Sequence, residues 1–159
     1  QGMTATLPVI AYAKEIGATQ EKLLRAVLIS DLITIHQKTG IGRLSAFCGA
    51  TSAGIGAACG IAWLDGGDYE VIAHTIVNGL AILSGMVCDG AKPSCAAKIA
   101  TAVRNGLLGY QMYRQGCQFY GGDGIVTKGV ENTIANVGRL ANRGMRSTDC
   151  EILNIMIGN

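Results

Sequence analysis

An uncharged block from Leu44 to Leu64, LSAFCGATSAGIGAACGIAWL, constrains the fold of this chain more than any other segment. Its 21 residues are enough to cross a bilayer as one helix. Most of them, however, are Gly, Ala, Ser, Thr and Cys, and small side chains let neighbouring backbones approach closely. Helices that are apolar all round also occur in the cores of large soluble proteins. We therefore predict a Gly/Ala-rich buried central helix, wrapped by other helices, and no membrane span.

Helical periodicity dominates the rest of the chain, and no stretch alternates apolar and polar residues as a half-buried strand would. The pattern predicts helices over 5–16, 19–39, 69–86, 95 to about 108, 127–143 and 148–156, with N-caps at Thr19, Ser94, Thr127 and Thr148. No repeat or linker divides the 159 residues. The predicted fold is therefore one compact all-α domain spanning 1–159.

The charge content limits the classes of partner. Charged residues make up 15% of the chain and apolar residues 49%, whereas an average protein is about 25% charged. Part of the surface is therefore expected to be covered, by another segment or by a second copy in a homo-oligomer. The net charge of +2 is spread along the chain without a basic stripe, so we expect no nucleic-acid partner.

Two features of the first residues bear on location and completeness. The Lys14-Glu15 pair interrupts the first apolar stretch, so no signal-peptide pattern is present and a cytoplasmic location is expected. The sequence begins at Gln1 without an initiator methionine. We therefore expect an N-terminal portion of the same protein to be missing.

Six cysteines, at positions 48, 59, 88, 95, 117 and 150, are the main candidates for chemistry. A chain this large and apolar does not need a disulfide scaffold, so we expect reduced thiols. The CxxC pairs typical of zinc sites do not occur. For Cys59, Cys117 and Cys150 we expect ordinary buried or half-buried thiols.

Cys48, Cys88 and Cys95 differ in that each stands at or just before a predicted helix N-terminus. Backbone amides and the helix dipole favour negative charge there. Three thiolates gathered at such positions would suit an iron-sulfur centre, while structural thiols remain the alternative. Lys98 lies one turn after Cys95, where it can face the same ligand or lie on the surface.

A family resemblance is carried by the segments CGATSAGIGAACGIAWLDGG, VCDGAKPSCAAKI, YGGDGIV and VENTIANVGRLANRGMRSTDCEILNIM. They resemble the C-terminal half of the L-cysteine desulfidase family, which is related to the α chain of iron-sulfur L-serine dehydratases. The resemblance covers essentially the whole chain and includes the steps of 40 and 7 residues between Cys48, Cys88 and Cys95. It implies that these three cysteines hold a 4Fe-4S cluster in which one iron stays open.

The resemblance also implies a reaction, the α,β-elimination of L-cysteine to hydrogen sulfide, pyruvate and ammonia. The open iron is expected to act as a Lewis acid on this small amino-acid substrate while a base removes the α-proton. No residue here matches that base, so we expect it in the missing N-terminal portion and expect this chain alone to be inactive. Gln1 and Gly2 resemble the end of a GNQG segment that binds substrate.

Two other functions stay open. An L-serine dehydratase would carry out the same elimination on serine, releasing pyruvate and ammonia. A non-catalytic helical module would use its thiols structurally or to bind zinc.

Overall fold

The computed structural model describes residues 1–158, and in this range it contains seven α-helices, one π-helical turn and no strand. The α-helices are α1 Gly2–Glu15, α2 Gln20–Ile41, α3 Ala50–Leu64, α4 Tyr69–Ile82, α5 Ser94–Arg114, α6 Val130–Arg139 and α7 Arg146–Ile157. The π-helical turn, Leu140–Gly144, continues α6. The predicted all-α fold class is confirmed.

Helix α3 lies among four other helices. Every residue from Ala50 to Ala62 is buried, and α3 contacts α1, α2, α4 and α5. Because the side chains of α3 are small, the neighbouring helices come close to its backbone on several sides. None of the helices within residues 1–158 is both long and apolar enough to cross a membrane.

One of these close approaches joins α3 to α5 through two glycines. A Cβ atom placed on Gly106 of α5 would lie 2.5 Å from the carbonyl oxygen of Gly54 and 2.9 Å from the Cβ of Ala58. A Cβ on Gly54 would in turn overlap the carbonyl group of Ala102. Because protein interiors are closely packed and cannot accommodate such overlaps, the two helices can cross at this distance only with glycine at both positions.

Two buried amide side chains join α4 to α5. Asn78 on α4 donates its Nδ2 to the Gly109 carbonyl at 3.0 Å, and Asn105 on α5 donates to the Gly79 carbonyl at 2.8 Å. Each amide therefore compensates part of its own desolvation. The result is that α5, which begins beside Cys95, is fixed against both α3 and α4.

Several predicted helix limits are wrong. Within the block 44–64 the central helix α3 begins at Ala50, two residues after Cys48, and 44–49 is an irregular segment. The helix predicted over 69–86 ends at Ile82, and α5 continues to Arg114 instead of ending near 108. Backbone pairing between distant loops, described below, takes residues near 47 and 87 out of the helices.

The predicted N-caps had mixed outcomes. Thr19 is confirmed, because its side chain accepts the backbone N–H of Lys22 at 3.3 Å. Ser94 and Thr148 instead lie within the first turns of α5 and α7. Thr127 lies before α6, and the N-cap of this helix is Gly129, with φ of 91°. The backbone N–H and carbonyl of Thr127 both form hydrogen bonds with the hydroxyl of Thr133.

An apolar face of α2 is uncovered in the described part of the molecule. Its side chains stand four or three residues apart on successive turns, and each is more than half exposed: Leu24, Leu28, Leu32 and Ile35. Met3 and Leu7 of α1 are also more than half exposed. These six residues are called the α1/α2 apolar face below.

The glycine contact between α3 and α5 generates a stability prediction. Gly106→Ala should lower the free energy of unfolding by about 1–3 kcal/mol, because the added methyl group overlaps a main-chain carbonyl that cannot rotate away. Urea denaturation followed by far-ultraviolet circular dichroism measures the change.

Gly85→Ala is the matched control, because its Cβ would meet only the flexible Met145 side chain, at 3.8 Å. It should unfold at the urea concentration of the unchanged protein. Equal midpoints for Gly106→Ala and the unchanged protein would show that the helices can separate at no cost.

Candidate functional site

A short antiparallel contact between two loops brings Cys48 and Cys88 together. Phe47 and Val87 form an isolated antiparallel bridge. The Cys48 amide donates to a carbonyl of the opposite segment at 2.7 Å, and the Cys88 amide donates in return at 2.6 Å. The backbones that carry these two cysteines are therefore held to each other by a reciprocal pair of hydrogen bonds.

The bridge also fixes the directions of the two thiols. Alternate residues of an extended segment point to one face, so Cys48 and Cys88 share a face while Phe47, which is 1% exposed, fills the core on the other. Both thiols are free.

The segment before Cys48 is anchored to the π-helical turn. The hydroxyl of Ser45 donates to the Ala141 carbonyl at 2.7 Å and accepts the backbone N–H of Phe47 at 3.0 Å. Asn142 donates its Nδ2 to the Ile41 carbonyl at 3.3 Å. These side-chain contacts hold the extended backbone that places Cys48 just before α3.

Cys95 lies in the first turn of α5 and faces the loop that leads back to Cys88. Its sulfur accepts the backbone N–H of Lys92 at 3.4 Å and its S–H donates to the Gly90 carbonyl at 3.5 Å. Gly90 has φ of 92°, a conformation that side chains other than glycine strain to adopt. The loop therefore folds over Cys95 at a position that requires glycine.

Lys98 links this loop to α5. Its ammonium group donates to the Val87 carbonyl and to Asp89 Oδ1, at 2.7 Å each, and these two residues flank Cys88. The side chains of Lys98 and Asp89 are only 23% and 29% exposed. Lys98 is thus not a free surface lysine, because it connects the Cys88 segment to the helix that carries Cys95.

The electrostatics of this contact favour both charged forms. Hydrogen bonds from Lys92 and Lys98 lower the pKa of Asp89 to about 2. The hydrogen bond to Asp89 is the main cause that raises the pKa of Lys98, and the charges of Cys48 and Cys95 act in the same direction. Lys98 therefore carries a fixed positive charge within electrostatic reach of two cysteines and beside the third.

The helix-terminus prediction holds for two cysteines and is wrong for the third. Cys48 stands two residues before α3 and Cys95 is the second residue of α5. Cys88 lies in the loop between α4 and α5, directly after the bridge residue Val87 and six residues before α5 begins. A bridge of one residue pair produces no alternation of apolar and polar residues. The contact between the Cys48 and Cys88 segments therefore could not be predicted from the sequence.

Free thiols, together with two buried hydroxyls that follow Cys48 in the sequence, are compatible with an anionic iron-sulfur cluster. All six cysteines are free, and the hydroxyls of Thr51 and Ser52, fully buried just after Cys48, have no hydrogen-bond partner. A buried hydroxyl without a partner is costly, and cluster sulfides accept hydrogen bonds. Within residues 1–158 no group of three His, Cys, Asp or Glu side chains is arranged to hold a single metal ion. A four-iron cluster is wider than one ion, so its ligands stand farther apart.

Gln1 lies against this site from a distant part of the sequence. A Cβ on Gly49, the residue after Cys48, would overlap the Gln1 side-chain amide. Gln1 also lines a cleft of about 500 Å³ together with Lys38 and Arg43. Gly2 is the first residue of α1, and a Cβ there would have no described atom within 4 Å. The structure thus brings Gln1 into contact with the cysteine segment and leaves open space where a side chain at Gly2 would stand.

A second polar cluster lies at the other end of α3. Asp65 accepts hydrogen bonds from the hydroxyls of Tyr12 and Tyr110, and Arg114 lies 3.9 Å from its carboxylate, beside a cavity of about 680 Å³. The hydrogen bond to Asp65 is the main cause that raises the pKa of Tyr12 to about 12. The 15 residues of α3 span about 22 Å at about 1.5 Å each, so this cluster is separate from the cysteines.

Comparison with known proteins places the chain in a family. Residues 1–154 match the family described as serine dehydratase alpha chain. The chain belongs to this family. All the residues discussed above as site candidates lie within the matched range, so the serine dehydratase alpha chain match includes the complete set of cysteines at 48, 88 and 95.

The relatives of this chain are longer proteins. A UPF0597 protein of Desulfitobacterium hafniense is 66% identical over 157 residues, which are 99% of this chain and 36% of the relative. UPF0597 proteins of Treponema denticola and Finegoldia magna are 49% and 48% identical over 99% of this chain, covering 36% and 38% of their own lengths. The chain therefore spans a little over a third of these relatives. No solved structure matches it at a significant level.

The burial of the thiols predicts an order of reactivity in the cluster-free protein. Cys117 and Cys150 are exposed, whereas Cys59 is completely buried and its burial raises the pKa of its thiol. Because the thiolate is the reactive form, alkylation should reach the exposed pair first and Cys59 only after unfolding. Mass spectrometry of peptides from timed alkylation measures the order.

Alkylation in urea is the control, since Cys59 should then react like the others. Labelling of native Cys59 at the rate of Cys117 would contradict the buried position of α3.

Proposed function

We propose that this chain is the cluster-binding part of an iron-sulfur lyase that eliminates hydrogen sulfide from L-cysteine, leaving pyruvate and ammonia. The observation that carries the proposal is the gathering of Cys48, Cys88 and Cys95 around one bridge and one helix start, in a chain of the serine dehydratase alpha family. Because the relatives are nearly three times as long, the activity is proposed for the full-length protein.

Three thiolates of this chain would hold the cluster, those of Cys48, Cys88 and Cys95. When bound through three cysteines, a 4Fe-4S cluster supplies an iron with an open position, a Lewis acid for charge that develops on the leaving sulfur. The chain favours the anionic ligands in two ways. The start of α5 and the Lys92 amide stabilise negative charge at Cys95, and the Lys98 ammonium lies beside all three segments.

Gln1 and Gly2 are proposed to bind the substrate. The contact of the Gln1 amide with Gly49 supports this role, because it puts a hydrogen-bond donor next to the segment of Cys48. Lys38 and Arg43 in the adjoining cleft add two cations, which suit a carboxylate. Gly2, in the first turn of α1, would contribute a backbone amide.

The base that removes the α-proton is proposed to lie in the rest of the full-length protein. The α1/α2 apolar face supports a contact with that portion, because Leu24, Leu28, Leu32 and Ile35 are uncovered here. We propose that the two portions together form a single cytoplasmic enzyme, since free thiols and an oxidation-sensitive cluster persist best in a reducing compartment.

An L-serine dehydratase is the second candidate, and the family description favours it directly. The elimination is the same, but hydroxide leaves less readily than hydrosulfide. The reaction on serine would therefore depend more strongly on Lewis-acid assistance at the leaving group.

Replacement of each proposed ligand tests the cluster assignment. In the full-length protein reconstituted anaerobically with iron and sulfide, Cys48→Ser, Cys88→Ser and Cys95→Ser should each reduce the visible cluster absorbance and the release of sulfide from L-cysteine to background. Cys117→Ser, at an exposed position, is the matched control and should retain both. Full absorbance in Cys88→Ser would remove this residue from the ligand set.

The same preparation distinguishes the two substrates. The desulfidase proposal predicts a larger kcat/KM for sulfide release from L-cysteine than for pyruvate release from L-serine. A larger value for L-serine would move the function to the dehydratase, and stoichiometric zinc in place of iron would support structural thiols.

Gly49→Ala tests the role of Gln1. Its methyl group would displace the Gln1 amide, a flexible side-chain end, without disturbing the backbone. Loss of one hydrogen bond to a charged substrate is worth about 1.5–3 kcal/mol, so KM for L-cysteine should rise roughly tenfold or more at unchanged cluster absorbance.

Gln1→Ala should raise KM by a similar factor, and the double variant should be no worse than either single variant, because both changes remove one contact. An unchanged KM in Gln1→Ala would exclude Gln1 from substrate binding.

A further inference from the structure

Lys98 makes contacts that no ordinary surface ion pair makes. Exposed ion pairs contribute little, because both side chains lose freedom and water screens the charges. Lys98 instead donates to a main-chain carbonyl, that of Val87, as well as to Asp89, and three-quarters of its side chain is removed from solvent. A main-chain contact restrains the position of the backbone itself.

The two acceptors lie on either side of Cys88 in the sequence. The ammonium group is on α5, one turn beyond Cys95, so its two hydrogen bonds close the loop between Cys88 and Cys95 from the helix side. Cys48 is joined to Cys88 separately, by the bridge. Besides Lys98, the loop is tied to α5 by the weak contacts of the Cys95 sulfur and by packing of Met86 and Cys88 near Ala102. Lys98 supplies the strong, charged hydrogen bonds of this link.

We propose that Lys98 is the positioning residue that sets Cys88 relative to Cys95 and supplies the fixed positive charge beside the cysteine group. The positioning role of Lys98 concerns the cluster-free protein as well. The electrostatic half of the inference, the effect of its positive charge, rests on the proposed cluster. The two halves are therefore tested separately.

Lys92 offers a matched comparison. It forms an ion pair with the same carboxylate, Asp89, but it belongs to the loop itself. Its removal takes away an equal charge near the cysteines without cutting a link between the loop and α5. Lys92→Met therefore separates loss of a nearby charge from loss of the link.

The first test measures the accessibility of Cys88 in the full-length protein after removal of iron. Lys98→Met should increase the alkylation rate of Cys88 about tenfold, because a restraint worth one hydrogen bond no longer opposes local opening. Lys98→Arg, which keeps the donors, should restore most of the protection, and Lys92→Met should react at nearly the original rate. Asp89→Asn, which keeps the Val87 contact, should fall between Lys98→Met and the unchanged protein.

Circular dichroism and the labelling of buried Cys59 verify that each variant is folded. Equal Cys88 rates in Lys98→Met and the unchanged protein would overturn the positioning role. Equal acceleration in Lys92→Met would do the same, since loss of charge alone would then explain the effect.

The second test uses the reconstituted protein. Loss of a positive charge next to an anionic cluster should shift the reduction potential of Lys98→Met to a lower value, and Lys98→Arg should restore it. A potential that does not change in Lys98→Met would overturn the electrostatic half. If no variant, the unchanged protein included, binds a cluster, the proposed function fails while the alkylation result still decides the positioning role.

Discussion

Close contact between the backbones of α3 and α5 sets the positions of two of the three cysteines. Gly54 and Gly106 allow the two helices to cross where any larger residue would hold them apart. Cys48 stands just before the start of α3 and Cys95 just inside the start of α5. A site built on two packed helix starts is rigid, and the small-residue composition of α3 is what makes that packing available.

The third cysteine depends on weaker, local contacts. Cys88 lies in a loop, and it is held by the bridge to Cys48 on one side and by the Lys98 contacts on the other. Loop contacts of this kind open more readily than core packing. The position that varies most among conformations is therefore expected at Cys88. We propose that a labile cluster and an adaptable substrate site would both depend on that division between rigid helices and a tied loop.

Local patterns predicted much of the fold. The all-α class follows from the apolar spacing of the helices, and the cap at Thr19 follows from its position before Gln20–Ile41. The end of α4 at Ile82 was predicted wrongly, and the contact between the Cys48 and Cys88 segments was not predicted. Both depend on the pairing of Phe47 with Val87, which are 40 residues apart and leave no periodic signal. The contact of Gln1 with Gly49 and the link from Lys98 to Val87 are tertiary contacts in the same sense. The residue types could be read from the sequence, but the contacts between these residues could not.

We propose that three cysteines leave one iron of a cluster open to the substrate. Mössbauer spectroscopy of the full-length protein, reconstituted with an iron isotope and mixed with L-cysteine, is the direct test of this open iron. The predicted result is that one of the four iron sites changes its spectrum while the other three stay the same. A spectrum in which no iron responds to L-cysteine, or in which all four respond equally, would contradict the claim.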